Sequence, residues 1–391
     1  MMDENRLLDI VAKYGSPLYV FDIEYLRKRL ALVKQILGEL IDLCFAMKAN
    51  PFLIAYADPL IDKFEVCSPG EYEICKKEQI RTEKIVMSGV YKSSDDMAVS
   101  FSDGFHGIYT VESPAQYRSI AQLAKTNQQP VRLLFRLTSG NQFGLDQDDM
   151  IALLQECKQE EYLNIVGIHY FSGTQKRKAG QFQQELQQLD SFCAQLNDIC
   201  QLEIKDIEYG PGLSYNYFNK AGDEHQELYL LKDALQPYLS RYHFTIELGR
   251  YLSASCGRYL TTVVDVKRNK NVNYCIVDGG IHHLNYFGQL LGAKVPSVHV
   301  LRRAAAGHDV QKWMVCGALC TIHDILLKNF ETGGLCTGDI FVFDDAGAYS
   351  ITETCGLFLS RDLPKVLALD KGTAVLREKM STYQLNSRVL D

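Results

Sequence analysis

The chain has 391 residues, of which 47% are hydrophobic and 23% are charged, and its formal net charge is -7. This composition excludes disordered and collagen-like proteins and predicts a packed protein, with two domains or one large α/β barrel carrying an appendage. The negative charge argues against proteins that neutralise nucleic-acid phosphates, so we expect no nucleic-acid partner.

The 12 cysteines are few for this length, and several stand singly in apolar runs, as at Cys44, Cys67, Cys193 and Cys275. A reduced thiol in such a run behaves as a small hydrophobic side chain. The sequence contains no CxxC pair, which argues against a zinc ribbon, and we expect no metal site. The first ten residues lack a signal-peptide core, and no run reaches the roughly 18 apolar residues of a membrane span. We therefore expect a cytoplasmic protein with no membrane partner.

Short apolar runs alternate with amphipathic helical stretches between residues 43 and 249. The runs are Leu43–Lys48, Phe64–Ser68, Lys84–Gly89, Gly107–Val111, Val131–Leu137, Asn164–Gly173, Asp206–Gly212 and His243–Gly249. The helical stretches carry apolar side chains at steps of three and four, as at Phe182, Leu186 and Leu189. Strands buried on both faces with helical returns predict a parallel sheet, and eight such units predict a (β/α)8 TIM barrel.

After Gly249 the pattern changes to strands with short turns and few helical stretches. The strand-like runs are Tyr259–Lys267, Tyr274–Gly280, Val298–Arg303, Lys312–Leu319, Asp339–Phe343 and Lys365–Leu369. They predict a compact C-terminal antiparallel β domain, either a barrel or a sandwich, that follows the TIM barrel without a low-complexity linker.

Reactive groups of a TIM barrel lie at the C-terminal ends of its strands, so the residues there are the candidates. Lys48 closes the first run, where desolvation would lower the pKa of an imine-forming amine; a lysine that simply reaches solvent is the competing interpretation. Gly210 and Gly212 follow the seventh run and would turn N–H groups toward an anion, or form a plain tight turn. Glu247 and Arg250 follow the eighth and would address a ring nitrogen and a phosphate, or form a surface ion pair.

The sixth run ends in a further group of polar candidates. Taken alone, His169 fits a satisfied core histidine, whereas Gly173 and Thr174 would serve a phosphate. A lysine, a carboxylate and a phosphate-binding loop at one barrel mouth together suit pyridoxal phosphate as cofactor.

In this order and spacing, the motifs resemble the fold-type III pyridoxal-phosphate decarboxylases, the group of diaminopimelate, ornithine and arginine decarboxylases. The matching segments are FAMKANP with Lys48, GIHYFSGTQ with His169, ELGR with Glu247, and CTIHD at residues 320–324. The resemblance spans nearly the whole chain. It implies a TIM barrel at residues 24–252 and a β domain built from residues 1–23 and 253–391, the two-domain architecture of alanine racemase.

The resemblance also implies roles for individual residues. Lys48 would form the internal aldimine with pyridoxal 5'-phosphate, and Glu247 would keep the pyridine nitrogen protonated, which stabilises a quinonoid. Cys320 would protonate the carbanion left by carbon dioxide, and it would act in the partner subunit of a head-to-tail homodimer with shared active sites. The other cofactor contacts would be His169, Phe171, Thr174, Gly210, Gly212, Gly249, Arg250 and Tyr349.

Three positions depart from the family pattern. Phe171 replaces a histidine of many relatives, Leu248 a proline, and Thr321 an acidic residue that addresses a distal amino group in diaminopimelate and ornithine decarboxylases. Threonine cannot pair with an ammonium group, which argues against those substrates. The pattern is closer to a branch of secondary metabolism that decarboxylates a glutamyl group tethered to an acyl carrier protein. The basic run at residues 176–178 would meet such an acidic carrier, or is a solvated loop.

The leading hypothesis is a pyridoxal-phosphate-dependent α-decarboxylase whose substrate is an amino acid or an amino-acid-derived group, free or carrier-bound. A racemase is one alternative, but racemases set an arginine, not a carboxylate such as Glu247, against the pyridine nitrogen. A catalytically silent regulator is another, and retention of Lys48 and Cys320 argues against it. Gln142, Thr321 and Asp324 are candidate substrate contacts.

Overall fold

The computed structural model describes residues 3–218, 223, 225–302 and 309–388. Two compact units make up the chain. The barrel unit comprises Arg27–Tyr215 and Asp223–Leu252, and the β unit comprises Met1–Leu26, Asn216–Gly222 and Ser253–Asp391. Within the described ranges, no helix is both long and apolar enough to cross a bilayer.

The strands of the described residues are, in chain order, β1 (Leu18–Asp22), β2 (Ile41–Ala46), β3 (Lys63–Val66), β4 (Ile85–Met87), β5 (Ile108–Val111), β6 (Val131–Leu137), β7 (Leu163–Phe171), β8 (Asp206–Gly210), β9 (His243–Leu248), β10 (Gly257–Asn269), β11 (Val272–Val277), β12 (Val298–Leu301), β13 (Gln311–Cys316), β14 (Ile325–Thr332), β15 (Ile340–Phe343), β16 (Lys365–Asp370) and β17 (Gly372–Arg377). The α-helices are α1 (Glu4–Tyr14), α2 (Ile23–Leu37), α3 (Ile54–Ala57), α4 (Pro69–Lys77), α5 (Ser94–Ser102), α6 (Pro114–Asn127), α7 (Gln147–Cys157), α8 (Ala179–Cys200), α9 (Gln226–Leu235) and α10 (Arg250–Ser253).

Strands β2 to β9 form a closed barrel in which each strand runs parallel to the next and β9 pairs with β2. The predicted (β/α)8 barrel is confirmed. Its strands are almost wholly buried because the barrel interior covers one face and the helices cover the other, which is why they read as continuous apolar runs. Helix α8 turns Phe182, Leu186 and Leu189 inward, as their spacing predicts.

Local sequence fixes where two of the outer helices begin. Ser68 and Ser113 lie just before α4 and α6, and each side chain accepts a hydrogen bond from a backbone N–H of the first turn. A proline follows each serine at the first helical position, where its fixed φ suits a helix and its missing N–H costs nothing. The first residues of α4 and α6 are therefore sharply defined.

The β unit is built on a nine-stranded sheet in the order β14-β13-β11-β10-β1-β16-β17, with β12 and β15 pairing beside β10. The predicted β domain is confirmed, but its sheet is mixed rather than wholly antiparallel. Strand β1 runs parallel to β16, and β11 runs parallel to β13. Apolar alternation reveals that a segment is a strand but not the direction of its neighbour, so the pattern could not predict these pairs.

Three strands of this sheet, β1, β14 and β17, were not among the predicted runs. In β17 most residues are exposed, and in β14 the alternation of exposed and buried residues is interrupted. Neither segment therefore has a clear apolar pattern. The predicted strand ending at Arg303 is found as Val298–Leu301, and Arg303 lies outside the described residues. Helix α1 packs Leu7 and Ile10 into the same core as the sheet.

Candidate active site

Lys48 lies one turn beyond the strand that was predicted to carry it. Strand β2 ends at Ala46, and Lys48 belongs to a short 3-10 turn, Met47–Ala49. Its Nζ is 2.5 Å from Glu65 Oε2 and 3.8 Å from Glu247 Oε1. The lysine side chain is 41% exposed, whereas both carboxylates are buried. The amine therefore faces an open barrel mouth and is held from below by two carboxylates.

Glu65 and Cys67, both at the end of β3, are residues that sequence reasoning missed. Cys67 Sγ lies 3.1 Å from Glu65 Oε1 and 3.8 Å from Lys48 Nζ. Burial and the nearby Glu65 carboxylate raise the pKa of the Cys67 thiol, so it stays protonated. The apolar run predicts a core thiol at Cys67, whereas the position of Cys67 at a strand end, the criterion that also selects Lys48, places it in the site.

His169 supports Glu247 on the barrel's inner face. The two side chains are buried, and His169 Nε2 is 3.0 Å from Glu247 Oε2. Burial, aided by Arg136, lowers the pKa of His169 to about 3, so the imidazole is neutral at physiological pH. A neutral ring whose nitrogen faces a carboxylate donates its N–H to it, which fixes the orientation of Glu247.

Glu208 on β8 adds a second buried carboxyl group beneath this pair. Ligand atoms of His169, Glu208 and Glu247 all lie within 4.8 Å of one another. Burial raises the pKa of Glu208 to about 8, so this carboxyl is protonated at neutral pH. Side chains of these types also bind metal ions, and the expected absence of a metal site stays a prediction.

Replacing Glu208 with glutamine is expected to relieve a loss of stability that develops as the pH rises from about 4.5 to about 8. Folded Glu208 keeps its proton up to about pH 8, whereas the unfolded side chain releases it near its ordinary value of 4.5. Between these values the folded state binds more protons, so the free energy of unfolding falls by up to about 1.4 kcal/mol per pH unit. Urea denaturation should show E208Q gaining stability over wild type across this range. The exposed control E203Q should show no such trend, and a flat difference for E208Q would contradict the assignment.

A second buried charge cluster lies at the ends of β4, β5 and β6. Arg136 Nη1 is 3.1 Å from Glu112 Oε2, and Lys92 Nζ is 3.8 Å from Glu112 Oε1. Burial lowers the pKa of Lys92 to about 8. The Arg136 guanidinium also lies over the Phe143 ring, 4.7 Å from its centroid. Lys92, Glu112 and Arg136 belong to no recognised motif, so sequence reasoning did not find them.

The loops after β7 and β8 pair with each other through their backbones. Lys176 N donates to Gly212 O at 2.9 Å, and Ser214 N donates to Lys176 O at 3.1 Å. Gly212 has a φ of +61°, and a Cβ on it would lie 1.8 Å from Gly173 O. Only glycine fits this approach, so the two predicted anion-binding loops are brought together at one edge of the barrel mouth.

The remaining predicted barrel residues surround the same mouth. A Cβ on Gly210 would lie 2.6 Å from Phe171 Cδ2, and one on Gly249 would lie 3.0 Å from Ala49 Cβ. Arg250 begins α10 directly after Gly249 and is only 8% exposed. Thr174 and Gln142, the latter in the loop after β6, are exposed.

The basic run at residues 176–178 is not the uniform surface cluster that was envisaged as a carrier contact. Lys176 is buried, and its Nζ lies 2.8 Å from both carboxylate oxygens of Glu185. Only Arg177 and Lys178 are exposed. A charge that is compensated inside the protein cannot attract a partner, so the interpretation of Lys176 as a docking residue is corrected.

Cys320, Thr321, Asp324 and Tyr349 belong to the β unit. Cys320 is exposed, but Asp324 is only 2% exposed, and its oxygens accept hydrogen bonds from Leu319 N at 2.7 Å and Ile281 N at 2.9 Å. Asp324 therefore supports the backbone beside Cys320, and its assignment as a substrate contact stays a prediction. Tyr349 is half-buried and adopts a φ of +62°.

The donor set of the barrel mouth fits pyridoxal phosphate. An amine at Lys48 suits the aldehyde, the buried Glu247 carboxylate suits the pyridine nitrogen, and the loops at Gly212 and Arg250 suit the phosphate. Gly210 and Gly212 matter because a Cβ on either would collide with Phe171 or Gly173, so only glycine allows the loops to pack this closely.

Comparisons with known proteins point the same way. The family profile of the pyridoxal-binding domain of pyridoxal-dependent decarboxylases matches residues 23–254. The L-glutamyl-[BtrI acyl-carrier protein] decarboxylase of Niallia circulans is 23% identical, over 97% of this chain and 94% of its own length. The diaminopimelate decarboxylase of Methanocaldococcus jannaschii is 24% identical, over 98% of this chain and 92% of its own length.

Solved structures share the fold. The crystal structure of the M. jannaschii diaminopimelate decarboxylase superposes with a TM-score of 0.87 at 21% identity, covering 98% of this chain and 94% of that one. A lysine/ornithine decarboxylase from Vibrio vulnificus, complexed with putrescine, gives a TM-score of 0.83 at 16% identity, covering 94% and 98%.

Proposed function

The chain belongs to the pyridoxal-dependent decarboxylases, with pyridoxal phosphate as cofactor, and from this premise we propose that it removes the α-carboxylate of an amino acid or amino-acid-derived group through Lys48 and Cys320. The observation that carries the proposal is the position of Lys48 Nζ, between Glu65 and Glu247 at the barrel mouth. When bound, pyridoxal phosphate supplies an electron-withdrawing ring that accepts the electron pair left by carbon dioxide.

The barrel residues then have separate tasks. Lys48 provides the amine that links to the cofactor, and Glu65 holds its ammonium by a charge-assisted hydrogen bond of 2.5 Å. Glu247 holds a proton at the pyridine nitrogen, and the neutral His169 keeps that carboxylate in place. Gly210, Gly212, Arg250 and Thr174 would bind the phosphate, with Phe171, Gly249 and Tyr349 completing the cofactor pocket.

We assign the protonation step to the Cys320 thiol, acting on the partner subunit's site in a head-to-tail homodimer. The exposure of Cys320 supports this assignment, as does Ile322, which is 86% exposed in the same loop. The β unit further exposes the consecutive apolar side chains Leu357, Phe358 and Leu359. Contiguous exposed apolar surface is typical of a protein–protein interface.

Mixing the two inactive variants K48A and C320A is expected to restore about a quarter of wild-type activity, because random pairing makes about half of the dimers mixed. One of the two sites in each mixed dimer then combines an intact Lys48 with an intact Cys320 from the other subunit. Formation of the amine product is measured before and after subunit exchange, because Cys320 acts only after carbon dioxide has left. No recovery, with mixed dimers present by native mass spectrometry, would place Cys320 in its own subunit's site.

The substrate proposal has two members, a free amino acid and an aminoacyl group tethered to a carrier protein. Thr321 lacks the negative charge that a distal ammonium group needs, which supports a substrate without one. The likeness to the Niallia circulans carrier-protein decarboxylase over 97% of this chain supports the tethered form. The exposed Arg177 and Lys178 remain available to an acidic carrier. We also propose a cytoplasmic location, since core thiols such as Cys44 and Cys157 are free.

Carbon dioxide release from a panel of basic, acidic and carrier-bound amino acids tests this proposal. We expect release from at least one acidic or carrier-bound member and little from diaminopimelate or ornithine. Exchange of the Cα hydrogen in deuterated water with the carboxylate retained would identify a racemase. Absence of both reactions across the panel would support a silent regulator.

A further inference from the structure

We propose that Glu185 is a positioning residue that sets the geometry of the two phosphate-binding loops from the helix behind them. The inference rests on the proposed function, because it needs the loops after β7 and β8 to hold the cofactor phosphate. Glu185 itself lies in α8 and belongs to none of the motifs that identify the family.

Three donors from the barrel mouth converge on the Glu185 carboxylate. Lys176 Nζ lies 2.8 Å from both oxygens, Tyr209 Oη donates to Oε2 at 2.5 Å, and Ser172 Oγ donates to Oε1. Ser172 and Lys176 bound the loop after β7, and Tyr209 immediately precedes Gly210 at the end of β8. One carboxylate thus contacts the loop after β7 and the end of β8 that leads into the second loop.

The ion pair within this cluster is buried, so neither the Lys176 nor the Glu185 side chain can easily change its position. The Glu185 and Lys176 side chains are only 13% and 7% exposed, so the ion pair is largely shielded from solvent. Burial lowers the pKa of Lys176, and the Glu185 carboxylate opposes this effect. Loss of the carboxylate would leave the lysine charge uncompensated in a buried place, and the lysine would have to turn out or lose its proton.

A movement of Lys176 would displace the phosphate-binding loops because its backbone is hydrogen-bonded across them. Lys176 is the residue whose N–H and C=O pair with Gly212 and Ser214. The neighbouring Gln175 extends this pairing, since its side chain donates to Tyr215 O at 3.1 Å and accepts from Tyr215 N at 2.6 Å. Displacing Lys176 would therefore shift both anion-binding loops together.

A matched control exists on the same helix. Asp190 also accepts hydrogen bonds from a tyrosine, Tyr242 Oη at 2.8 Å, and forms an ion pair with Arg241 at 2.6 Å. These partners precede β9 and belong to neither phosphate loop. D190N therefore removes a comparable cluster from α8 without touching the loops, and it separates positioning from general support of the helix.

The test compares pyridoxal phosphate with pyridoxal, which lacks the phosphate, as ligands of the full-length protein. Equilibrium dialysis of wild type, E185Q and D190N gives both dissociation constants. We expect E185Q to weaken pyridoxal phosphate binding by about tenfold or more, while pyridoxal binding changes by less than about twofold. D190N should change neither constant. Equal weakening of both ligands by E185Q, or no weakening, would overturn the proposal.

Two further results keep the outcome unambiguous. If E185Q does not fold, Y209F can be used instead, because it removes a single donor to Glu185. It should still lower the affinity for pyridoxal phosphate selectively, by about threefold. An unchanged ratio of the dissociation constants of pyridoxal phosphate and pyridoxal would count against positioning. If wild type binds the two ligands equally well, the phosphate site itself is absent, and the proposed function fails instead of the role of Glu185.

Discussion

Replacing Lys48 with alanine is expected to lower the rate of carbon dioxide release by about 10³-fold or more, equivalent to about 4 kcal/mol of transition-state stabilisation. The loss follows from the position of this amine, whose Nζ lies 2.5 Å from Glu65 and 3.8 Å from Glu247 at the barrel mouth. The near-visible absorbance of the lysine-linked cofactor should vanish in parallel.

The matched control for this substitution is K34A. Lys34 also lies in the barrel unit, pairs with a carboxylate, Asp62, at 2.9 Å, and has a similar exposed fraction of 37%. It should retain wild-type rate and absorbance. Absorbance that persists in K48A would show that another amine carries the cofactor, and the assignment of Lys48 would then be wrong.

Replacing Glu247 with glutamine is expected to lower kcat by about 10²-fold while the dissociation constant of pyridoxal phosphate rises by less than about tenfold. Glutamine keeps the shape and the contact with His169 but cannot carry the charge that holds a proton at the pyridine nitrogen. Steady-state kinetics and cofactor titration separate the two quantities. D190N, a distant carboxylate-to-amide change, should leave both unchanged, and a fall in affinity without a fall in kcat would reduce Glu247 to a binding residue.

The barrel and most of its mouth could be predicted from the sequence because each β/α unit has its own local pattern. Strand β6 was found with both of its ends, since the short run Val131–Leu137 is mostly apolar and lies between Pro130 and Thr138. The motifs placed Lys48, His169 and Glu247 at strand ends, and the structure brings their side chains together.

The buried ionic contacts could not be predicted, because each depends on a partner from a distant part of the chain. The sequence does not reveal that β3 places Glu65 beside Lys48. Nor does it reveal that α8 places Glu185 beside Lys176, which by itself has the character of a surface residue. A charged side chain in isolation is expected at the surface, so sequence reasoning gives the wrong burial wherever two such residues pair inside. Asp324 illustrates the same limit, since its partners are backbone N–H groups.

The central place of β1 in its sheet has a consequence for how the protein is made. Leu18 pairs with Leu260 on one side and with Lys365 on the other, so a strand that is synthesised before the barrel must wait for strands that are synthesised after it. Contacts so distant along the chain slow folding, whereas the barrel strands find their neighbours as they emerge. We therefore expect a nascent chain arrested before β16 to hold a protease-resistant barrel while the segment that forms β1 is still digestible.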